Sequence, residues 1–315
     1  MGDPTRRRSR RHRRPPRPDR AFDLSGAGDE REVHHLTGLD QPGGVDVAVV
    51  GGSGFYRLLD DCEEVSLDTP FGRPASPVHI GSVGGRRVAF IARHGVNHVH
   101  APHEVPYRAN LWALASLGAT RVIGFCASGS LREDIAPGDL VIVDQLVDRT
   151  WGRADTFVSS PAVDHVSFAE PYCRNFAREI ADTAEELESA AWPAGTLHRR
   201  GTVVVVQGPR FSTRAESRLY AASGFDVINM TQYPEAYLAR ELGMCYAGLA
   251  LVTDRDAGVE ADPSVPAVTA KSAFEVMAAN VEHARCLLGA VIPGLSGRSD
   301  CDCARGGAPS LRGKS

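Results

Sequence analysis

The feature that most constrains this fold is a series of continuous apolar segments, each followed by small or polar residues. Seven such segments occur along the chain: VDVAVVGG, VAFIARHG, TRVIGFCASGS, GDLVIVDQLV, GTVVVVQGPR, FDVINM and MCYAGLALVTD. Their β-branched residues run together instead of alternating with polar ones. Each segment therefore predicts a strand that is buried on both faces.

Helical patterns lie between these segments. In YRANLWALASLG, Leu111, Leu114 and Leu117 recur every three residues, and Gly118 suits the position just past a helix end. FAREIADTAEELESAA, STRAESRLYAASG and SAFEVMAANVEHARCLLGAVI predict further helices. The alternation predicts an α/β fold, a three-layer sandwich with helices flanking a central, mostly parallel mixed sheet. Ligands of such sheets bind beyond the carboxyl ends of the strands.

The apolar segments define one domain over residues 45–295, which is large enough for a single core. Residues 1–44 include TRRRSRRHRRPPRPDR and predict a disordered, Arg-rich tail; a solvated tail or a wrong start codon is favoured over attraction to nucleic acid or a membrane surface. Residues 296–315 predict a disordered C-terminal tail. Cys301 and Cys303 form a C-x-C pair there, but two thiols are a weak metal signal, and no metal site is predicted.

Charge and composition exclude several classes of partner. A net charge of −4 and a pI near 6.3 argue against nucleic-acid binding by the domain. The sequence lacks an apolar run long enough for a membrane span and lacks the apolar core of a secretory signal. Seven scattered cysteines do not suggest a disulfide framework, so a cytoplasmic location is expected.

Polar residues at the strand ends predict an oxyanion site. The glycines of residues 51–54 let backbone N–H groups approach an anion, and Ser53 adds a hydroxyl donor. Arg93 offers bidentate hydrogen bonds to phosphate, and His94 adds another donor. Each feature alone could be a plain turn or a surface ion pair. Because Ser128 also lies at a strand end, a shared phosphate site is favoured.

Asp254 and Asp256, after the last apolar segment, suit general acid catalysis. Cleavage of a purine N-glycosidic bond places negative charge on the leaving base, and a protonated carboxyl group stabilises it. Burial or a neighbouring carboxylate would raise the pKa of such a group. A helix N-cap or a metal-binding pair remain alternatives.

Several long motifs in one order resemble the methylthioadenosine phosphorylase branch of the trimeric purine nucleoside phosphorylases, over about Val45 to Pro293. The motifs include VVGGSGF, DTPFGRPAS, ARHG, VPYRANLWAL, VVVQGPRFSTRAES and VINMTQYPEAYLARELGMCYAGLALVTDRDAG. The resemblance implies the nucleoside phosphorylase fold and a homotrimer with active sites at subunit interfaces. It also implies that inorganic phosphate is a co-substrate and that no metal or organic cofactor is required.

The resemblance also implies roles for twelve residues. Phosphate-binding roles fall to Ser53, Arg93, His94, Ser128 and Thr231; substrate-binding roles to Ala127, Phe211, Ser212, Met230 and His165; and catalytic roles to Asp254 and Asp256. Asp254 would protonate the purine N7, and Asp256 would help hold the 6-amino group. His165 would reach the 5′ end of the substrate in a neighbouring subunit. The family often has Thr at position 128, so Ser128 is a mild departure that keeps the hydroxyl.

The expected activity is phosphorolysis of S-methyl-5′-thioadenosine to adenine and 5-methylthioribose 1-phosphate, a step of purine and methionine salvage. A broader purine nucleoside phosphorylase acting on adenosine, inosine, guanosine or methylthioinosine is the alternative. Asp254 disfavours the 6-oxopurines, because relatives that use them tend to carry Asn there. A nucleoside hydrolase, a dinucleotide-binding oxidoreductase and a non-catalytic nucleotide-binding module are more remote. G-G-S-G-F-Y does not match the dinucleotide fingerprint G-x-G-x-x-G.

Overall fold

A computed structural model describes residues 44–52, 55, 59, 61–161, 163–191, 195–259, 270–296 and 301–311. The predicted Arg-rich tail, residues 1–44, lies outside the described residues except for its last position. All described residues belong to one compact unit, residues 33–315. Within the described ranges, no helix has both the length and the apolar character to cross a membrane.

Four strands precede the first helix, and strands alternate with helices mainly over the second half of the described chain. The strands are β1 (Val47–Gly51), β2 (Cys62–Val65), β3 (Val78–Val83), β4 (Arg86–Ala92), β5 (Arg121–Ser130), β6 (Leu140–Val143), β7 (Gln145–Arg149), β8 (Leu197–His198), β9 (Thr202–Val206), β10 (Val227–Asn229) and β11 (Cys245–Arg255). The helices are α1 (Tyr107–Ser116), α2 (Arg174–Ala191), α3 (Arg214–Ala222), α4 (Gln232–Glu241) and α5 (Ala270–Gly294).

The strands form a single mixed sheet. Its main path runs β2-β3-β4-β1-β5-β10-β9-β7, and β5 also pairs with β11, which continues to β6 and β8. Pairing is parallel between β1 and both β4 and β5, between β5 and β11, and between β9 and both β7 and β10. Antiparallel pairs join β2 to β3, β3 to β4, β10 to β5 and β11 to β6. The prediction of a mostly parallel mixed sheet is confirmed.

Two hydrophobic cores cover the two faces of this sheet. Strand β1 divides its side chains between them, with Val47 and Val49 in one core and Ala48 and Val50 in the other. The first core packs against α2 and α5, and the second against α1 and α4. This division follows from the two-residue period of a strand, and it produces the predicted three layers.

Two details of the sequence prediction change. The single segment GDLVIVDQLV forms two strands, because β6 pairs with β11 whereas β7 pairs with β9. Helix α4 was not predicted, because its sequence, QYPEAYLARE, buries polar residues together with apolar ones. The predicted end of α1 is confirmed: Gly118 has a φ of 88°, and its N–H donates to the carbonyl of Ala115.

The predicted disordered C-terminal tail, residues 296–315, is wrong for residues 301–311. This segment folds onto the domain and buries three side chains almost completely: Cys303, Ala308 and Leu311. The N–H of Ala308 donates to the carbonyl of Glu241 at 2.8 Å, at the end of α4. Glycine permits this close approach, because a Cβ at Gly307 would lie 2.7 Å from the backbone nitrogen of Gly243. The polar composition of this segment therefore predicts disorder, although a few buried residues are enough to dock it onto the domain.

Candidate active site

A cavity of about 350 Å³ opens where β1, β4, β5, β10 and β11 end. Ten of the twelve predicted site residues line it: Arg93, His94, Ala127, Ser128, Phe211, Ser212, Met230, Thr231, Asp254 and Asp256. Ser53 lies outside the described residues. His165 is exposed and is not part of the cavity wall in this single chain. The volume is in the range that holds a small organic ligand.

Arg93 follows β4 and is fully buried beside the cavity. Its Nε and one terminal nitrogen donate to the two carboxylate oxygens of Glu235, both at 2.7 Å, and the other terminal nitrogen donates to the carbonyl of Phe125 at 2.7 Å. Glu235 also accepts from the hydroxyl of Tyr246 at 2.7 Å. This bidentate pair holds the guanidinium in one orientation against the glycine-rich end of β1, where a Cβ at Gly52 would be 3.1 Å from it.

His94 is buried and stacks on the ring of His98 at 4.1 Å between centroids. Burial, followed by the charge of Arg93, lowers the pKa of His94 to about 3. Its Nδ1 lies 2.9 Å from the carbonyl oxygen of His100, which can only accept. The one N–H of neutral His94 is therefore already used, and this corrects the expectation of a further donor. Neutral His94 could meet phosphate only by accepting a P–OH proton at Nε2.

A β-bulge places the two aspartates at the cavity. The register between β11 and β5 shifts between Val252 and Asp254, so that Asp254 pairs with Gly129. A Cβ at Gly129 would lie 3.1 Å from a carboxylate oxygen of Asp254 and 3.3 Å from Cβ of Asp256. The extra residue turns the strand and aims both side chains over a glycine that leaves them room.

The environments of the two aspartates differ. Asp254 is half-buried, and its Oδ1 accepts from the hydroxyl of Thr253 at 2.6 Å. Asp256 is 3% exposed and accepts from the hydroxyl of Ser217 on α3 at 2.6 Å. Burial is the main cause that raises the pKa of Asp256 to about 6, against the hydrogen bond from Ser217 and with a smaller contribution from Asp254. The sequence predicts a raised carboxyl pKa within this pair, and Asp256 has one.

This pKa implies a pH-dependent stability. The folded state binds the Asp256 proton more tightly than the unfolded state, so stability is lost as pH rises from about 4 to about 6. We expect Asp256→Asn to remove the effect. Between those two pH values, the free energy of unfolding of the variant should rise relative to wild type by on the order of 3 kcal/mol. Urea unfolding at a series of pH values measures this difference.

Asp134→Asn is a suitable control for that experiment. The hydrogen bond from Arg132 lowers the pKa of this exposed carboxyl group, so its titration lies below the window in which Asp256 titrates. The control should show a flat difference from wild type between about pH 4.5 and pH 7. A flat difference for Asp256→Asn as well would contradict the raised pKa.

An apolar wall completes the cavity. Phe211 is 40% exposed at the mouth, and Met230 packs against the loop after β9, where a Cβ at Gly208 would lie 2.5 Å from its sulfur. Two residues with hydroxyl groups also line the cavity: Thr231 contacts the thiol of Cys126 at 3.3 Å, and Ser128 lies 3.5 Å from the side-chain amide nitrogen of Asn229. The cavity thus combines a fixed cation, hydroxyl groups, apolar surface and two carboxyl groups.

Sequence reasoning missed two residues that position this machinery, Glu235 and Ser217. Glu235 is 142 residues from Arg93, and Ser217 is 39 residues from Asp256, so no local spacing connects the partners. The available signal was a glutamate within the small and apolar residues of PEAYLA, which is an unusual place for an exposed charge.

Residues 46–292 match the phosphorylase superfamily. S-methyl-5′-thioadenosine phosphorylase from Mycolicibacterium smegmatis is 54% identical over 230 residues, covering 73% of this chain and 84% of the relative. Purine nucleoside phosphorylase from Streptomyces coelicolor is 47% identical over 268 residues, covering 82% and 92%. Methylthioadenosine phosphorylase from Schistosoma mansoni, solved in complex with adenine, superposes with a TM-score of 0.74 at 37% identity, covering 79% and 91%.

The match covers the strands, the bulge and the cavity described above, and it extends over nearly all of the apolar segments found in the sequence. The solved relative has the same architecture over most of its length. The chain belongs to the phosphorylase superfamily.

Proposed function

We propose that this chain cleaves S-methyl-5′-thioadenosine with inorganic phosphate, giving adenine and 5-methylthioribose 1-phosphate, as a pentosyltransferase of purine and methionine salvage. The observation that carries the proposal is a cavity with a buried arginine at one end and two aspartates at the other. Arg93 follows β4 and Asp254 lies on β11, and β1 and β5 stand between these strands. The guanidinium of Arg93 reaches the carbonyl of Phe125 on β5, and Asp254 pairs with Gly129, four residues further along that strand. The two ends are therefore roughly 13 Å apart along β5, which leaves room for phosphate, a pentose and a purine in sequence.

The proposed reaction uses both ends of the cavity. As the bond between C1′ and N9 breaks, its electron pair enters the purine, and Asp254 donates a proton to N7. A phosphate oxygen held by Arg93, Ser128 and Thr231, with Ser53 and His94 as further predicted contacts, forms the new bond to C1′. Fixed donors need little reorganisation as charge develops, and binding both reactants in one cavity supplies proximity.

The remaining roles concern orientation. Ala127, Phe211, Ser212 and Met230 would contact the nucleoside through the apolar wall, and Asp256 would accept from the 6-amino group. The pKa of about 6 at Asp256 means that the aspartate pair retains a proton closer to neutral pH than isolated aspartates do. This chemistry needs an acid and an anchored anion, so we propose phosphate as co-substrate and no catalytic cofactor.

We further propose a homotrimer in the cytoplasm. An assembly would bring His165 of one subunit to the 5′ end of the substrate in another. Support comes from apolar side chains that are more than half exposed in the single chain, namely Val96, Val99, Trp151, Val163 and Leu219. An interface would bury such residues. All seven cysteines carry free thiols, as suits a reducing compartment.

The proposal predicts strict dependence on phosphate. With S-methyl-5′-thioadenosine as substrate, adenine release should require inorganic phosphate and should produce one sugar phosphate for each adenine. Omitting phosphate should lower the rate by at least about 10²-fold, because the anchored nucleophile is lost. Chromatography of both products measures this. Equal rates without phosphate would identify a hydrolase instead.

The alternative is a broader purine nucleoside phosphorylase, which is favoured by the similarity to the purine nucleoside phosphorylase from Streptomyces coelicolor. The same assay with adenosine, inosine and guanosine distinguishes the two functions. Two carboxyl groups at the base end favour a 6-amino group, which donates, over a 6-oxo group, which only accepts. A higher kcat/KM for inosine than for S-methyl-5′-thioadenosine would support the alternative.

A further inference from the structure

Four cysteines from three separate parts of the chain meet in one cluster. Cys173 directly precedes α2, Cys245 opens β11, and Cys301 and Cys303 belong to the C-terminal segment. Their four sulfur atoms all lie within 4.8 Å of one another, and those of Cys245 and Cys301 are 3.3 Å apart. Cys173, Cys245 and Cys303 are at most 5% exposed, and Cys301 is half-buried.

This cluster is separate from the proposed active site. Cys245 is the first residue of β11, and Asp254 lies nine residues further along the same strand. At the usual rise of a strand the two residues are roughly 30 Å apart, at opposite ends of β11. The cluster cannot touch a substrate bound in the cavity, so a role must be sought in structure.

The arrangement matches the requirements of a tetrahedral zinc site. Zinc binds four thiolates at about 2.3 Å, which places the sulfur atoms about 3.8 Å from one another. The sulfur atoms already lie close to this spacing, and small rotations about the Cα–Cβ bonds would adjust it. We propose that Cys173, Cys245, Cys301 and Cys303 bind one zinc ion and that this ion fastens the C-terminal segment, residues 301–311, to the domain.

The first two ligands are supplied by rigid elements. The N–H of Cys173 donates to the carbonyl of Tyr246, the residue next to Cys245, at 2.9 Å. The carbonyl of Cys173 accepts from the N–H of Ala177 at 2.9 Å, in the first turn of α2. These hydrogen bonds fix Cys173, at the start of α2, next to Cys245, at the start of β11. A metal site needs such preorganised ligands if it is to bind tightly.

The other two ligands come from a segment with few alternative anchors. Beyond the cysteines, two hydrogen bonds attach residues 301–311 to the rest of the described chain: the N–H of Ala308 donates to Glu241, and the N–H of Ser310 donates to the carboxylate of Asp164 at 2.8 Å. Ala308 and Leu311 add buried apolar contacts. Short segments bury little apolar area, and their ordering entropy is correspondingly hard to offset. Binding of zinc to ligands on both sides of the junction would stabilise the docked state.

The local charge is suited to the complex. Four thiols that bind Zn²⁺ release four protons and leave a complex with a net charge of −2. The N-terminus of α2, at Cys173, favours negative charge. Arg121, the register partner of Cys245 on β5, is 3% exposed, and its guanidinium lies over the ring of Phe176 in the first turn of α2. Arg121 also forms an ion pair with Glu179 at 3.1 Å, so its positive charge is shared between Glu179 and the negatively charged zinc complex.

Two disulfides would be the competing use of the same four thiols. Forming them would remove four electrons and four protons and would require an oxidant. Zinc binding changes no oxidation state and requires only deprotonation. A tetrathiolate site is therefore the product expected in the reducing compartment proposed above.

The test measures metal in the full-length protein, purified with a thiol reductant from cells grown with zinc. Mass spectrometry of the metals should give about one zinc per chain. The double variant Cys301→Ser, Cys303→Ser should lose nearly all of it, whereas Cys286→Ser, an exposed cysteine on α5, should retain it. Replacement of zinc by cobalt should give the intense visible bands and the sulfur-to-metal charge-transfer band of a tetrahedral thiolate complex.

A second measurement separates loss of metal from loss of fold. The double variant keeps every residue of the active site, so its phosphorolysis rate should stay within about twofold of wild type while its melting temperature falls. A zinc chelator should lower the melting temperature of wild type but not of the double variant. Wild type without zinc, or with Cys301 or Cys303 recovered in disulfides under reducing purification, would overturn the proposal.

Discussion

Asp254→Asn is expected to lower kcat/KM for S-methyl-5′-thioadenosine by roughly 10²- to 10⁴-fold while the protein stays folded. An amide cannot deliver a proton to N7 of the departing adenine. The side-chain oxygen of asparagine can still accept from the hydroxyl of Thr253, so the melting temperature should change little. Steady-state kinetics with saturating phosphate, together with thermal unfolding, measures both effects.

Asp256→Asn is the matched comparison for this variant, because Asp256 packs over Gly129 in the same wall as Asp254. It retains an acceptor for the 6-amino group and for Ser217, so we expect a smaller loss of activity than at Asp254. Wild-type activity in Asp254→Asn would remove the proposed acid role from Asp254. A severe loss at Asp256 alone would transfer that role to the residue whose pKa is raised to about 6.

Glu235→Gln is expected to have a large effect on both stability and phosphate use. The substitution leaves the fully buried guanidinium of Arg93 without its charged partner, and breaking a buried ion pair on one side costs about 3–5 kcal/mol. The guanidinium also loses the bidentate contact that sets its orientation. Misplacement of a positioning group by about 1 Å lowers kcat/KM by roughly 10²-fold, and we expect this loss to appear in kcat/KM for phosphate. Urea unfolding and phosphate titration measure the two effects.

Glu241→Gln provides the control on the same helix. Glu241 is also buried, but its carboxylate accepts from neutral donors, the hydroxyl of Thr156 and the N–H of Phe157 at 2.8 Å. Burial raises its pKa, so a neutral side chain is better tolerated there. We expect a smaller loss of stability and an unchanged KM for phosphate. If both variants raised the KM for phosphate equally, a general loosening of α4 would explain the result and the specific role of Glu235 would be wrong.

Activity and metal content test different parts of the molecule. The proposed active site lies at the carboxyl ends of the strands, whereas the cysteine cluster lies at the opposite end of β11. Failure of the phosphorolysis assay would leave the zinc proposal standing, and loss of zinc would not by itself alter the assignment of Asp254. The two proposals can therefore be judged independently.

The sequence by itself determined the sheet and much of the cavity wall. Strands buried on both faces require runs such as those of β1 and β11, and the change to polar residues at Arg93 and Asp254 marks the functional edge. These signals are local, because a strand that is buried on both faces needs an apolar side chain at nearly every position. The helices with a regular apolar spacing, such as α1, were predictable for the same reason.

The tertiary structure alone decided which residues pair across the molecule. It placed Glu235 against Arg93, raised the pKa of Asp256 through enclosure by α3 and β5, and brought Cys301 and Cys303 to Cys173 and Cys245. Desolvation and pairing depend on every element packed around a group, and the partners lie tens to hundreds of residues apart. The local sequence pattern therefore does not indicate these pairs. For the same reason, the polar C-terminal segment is predicted to be disordered from its sequence, and only the structure shows the surface on which it docks.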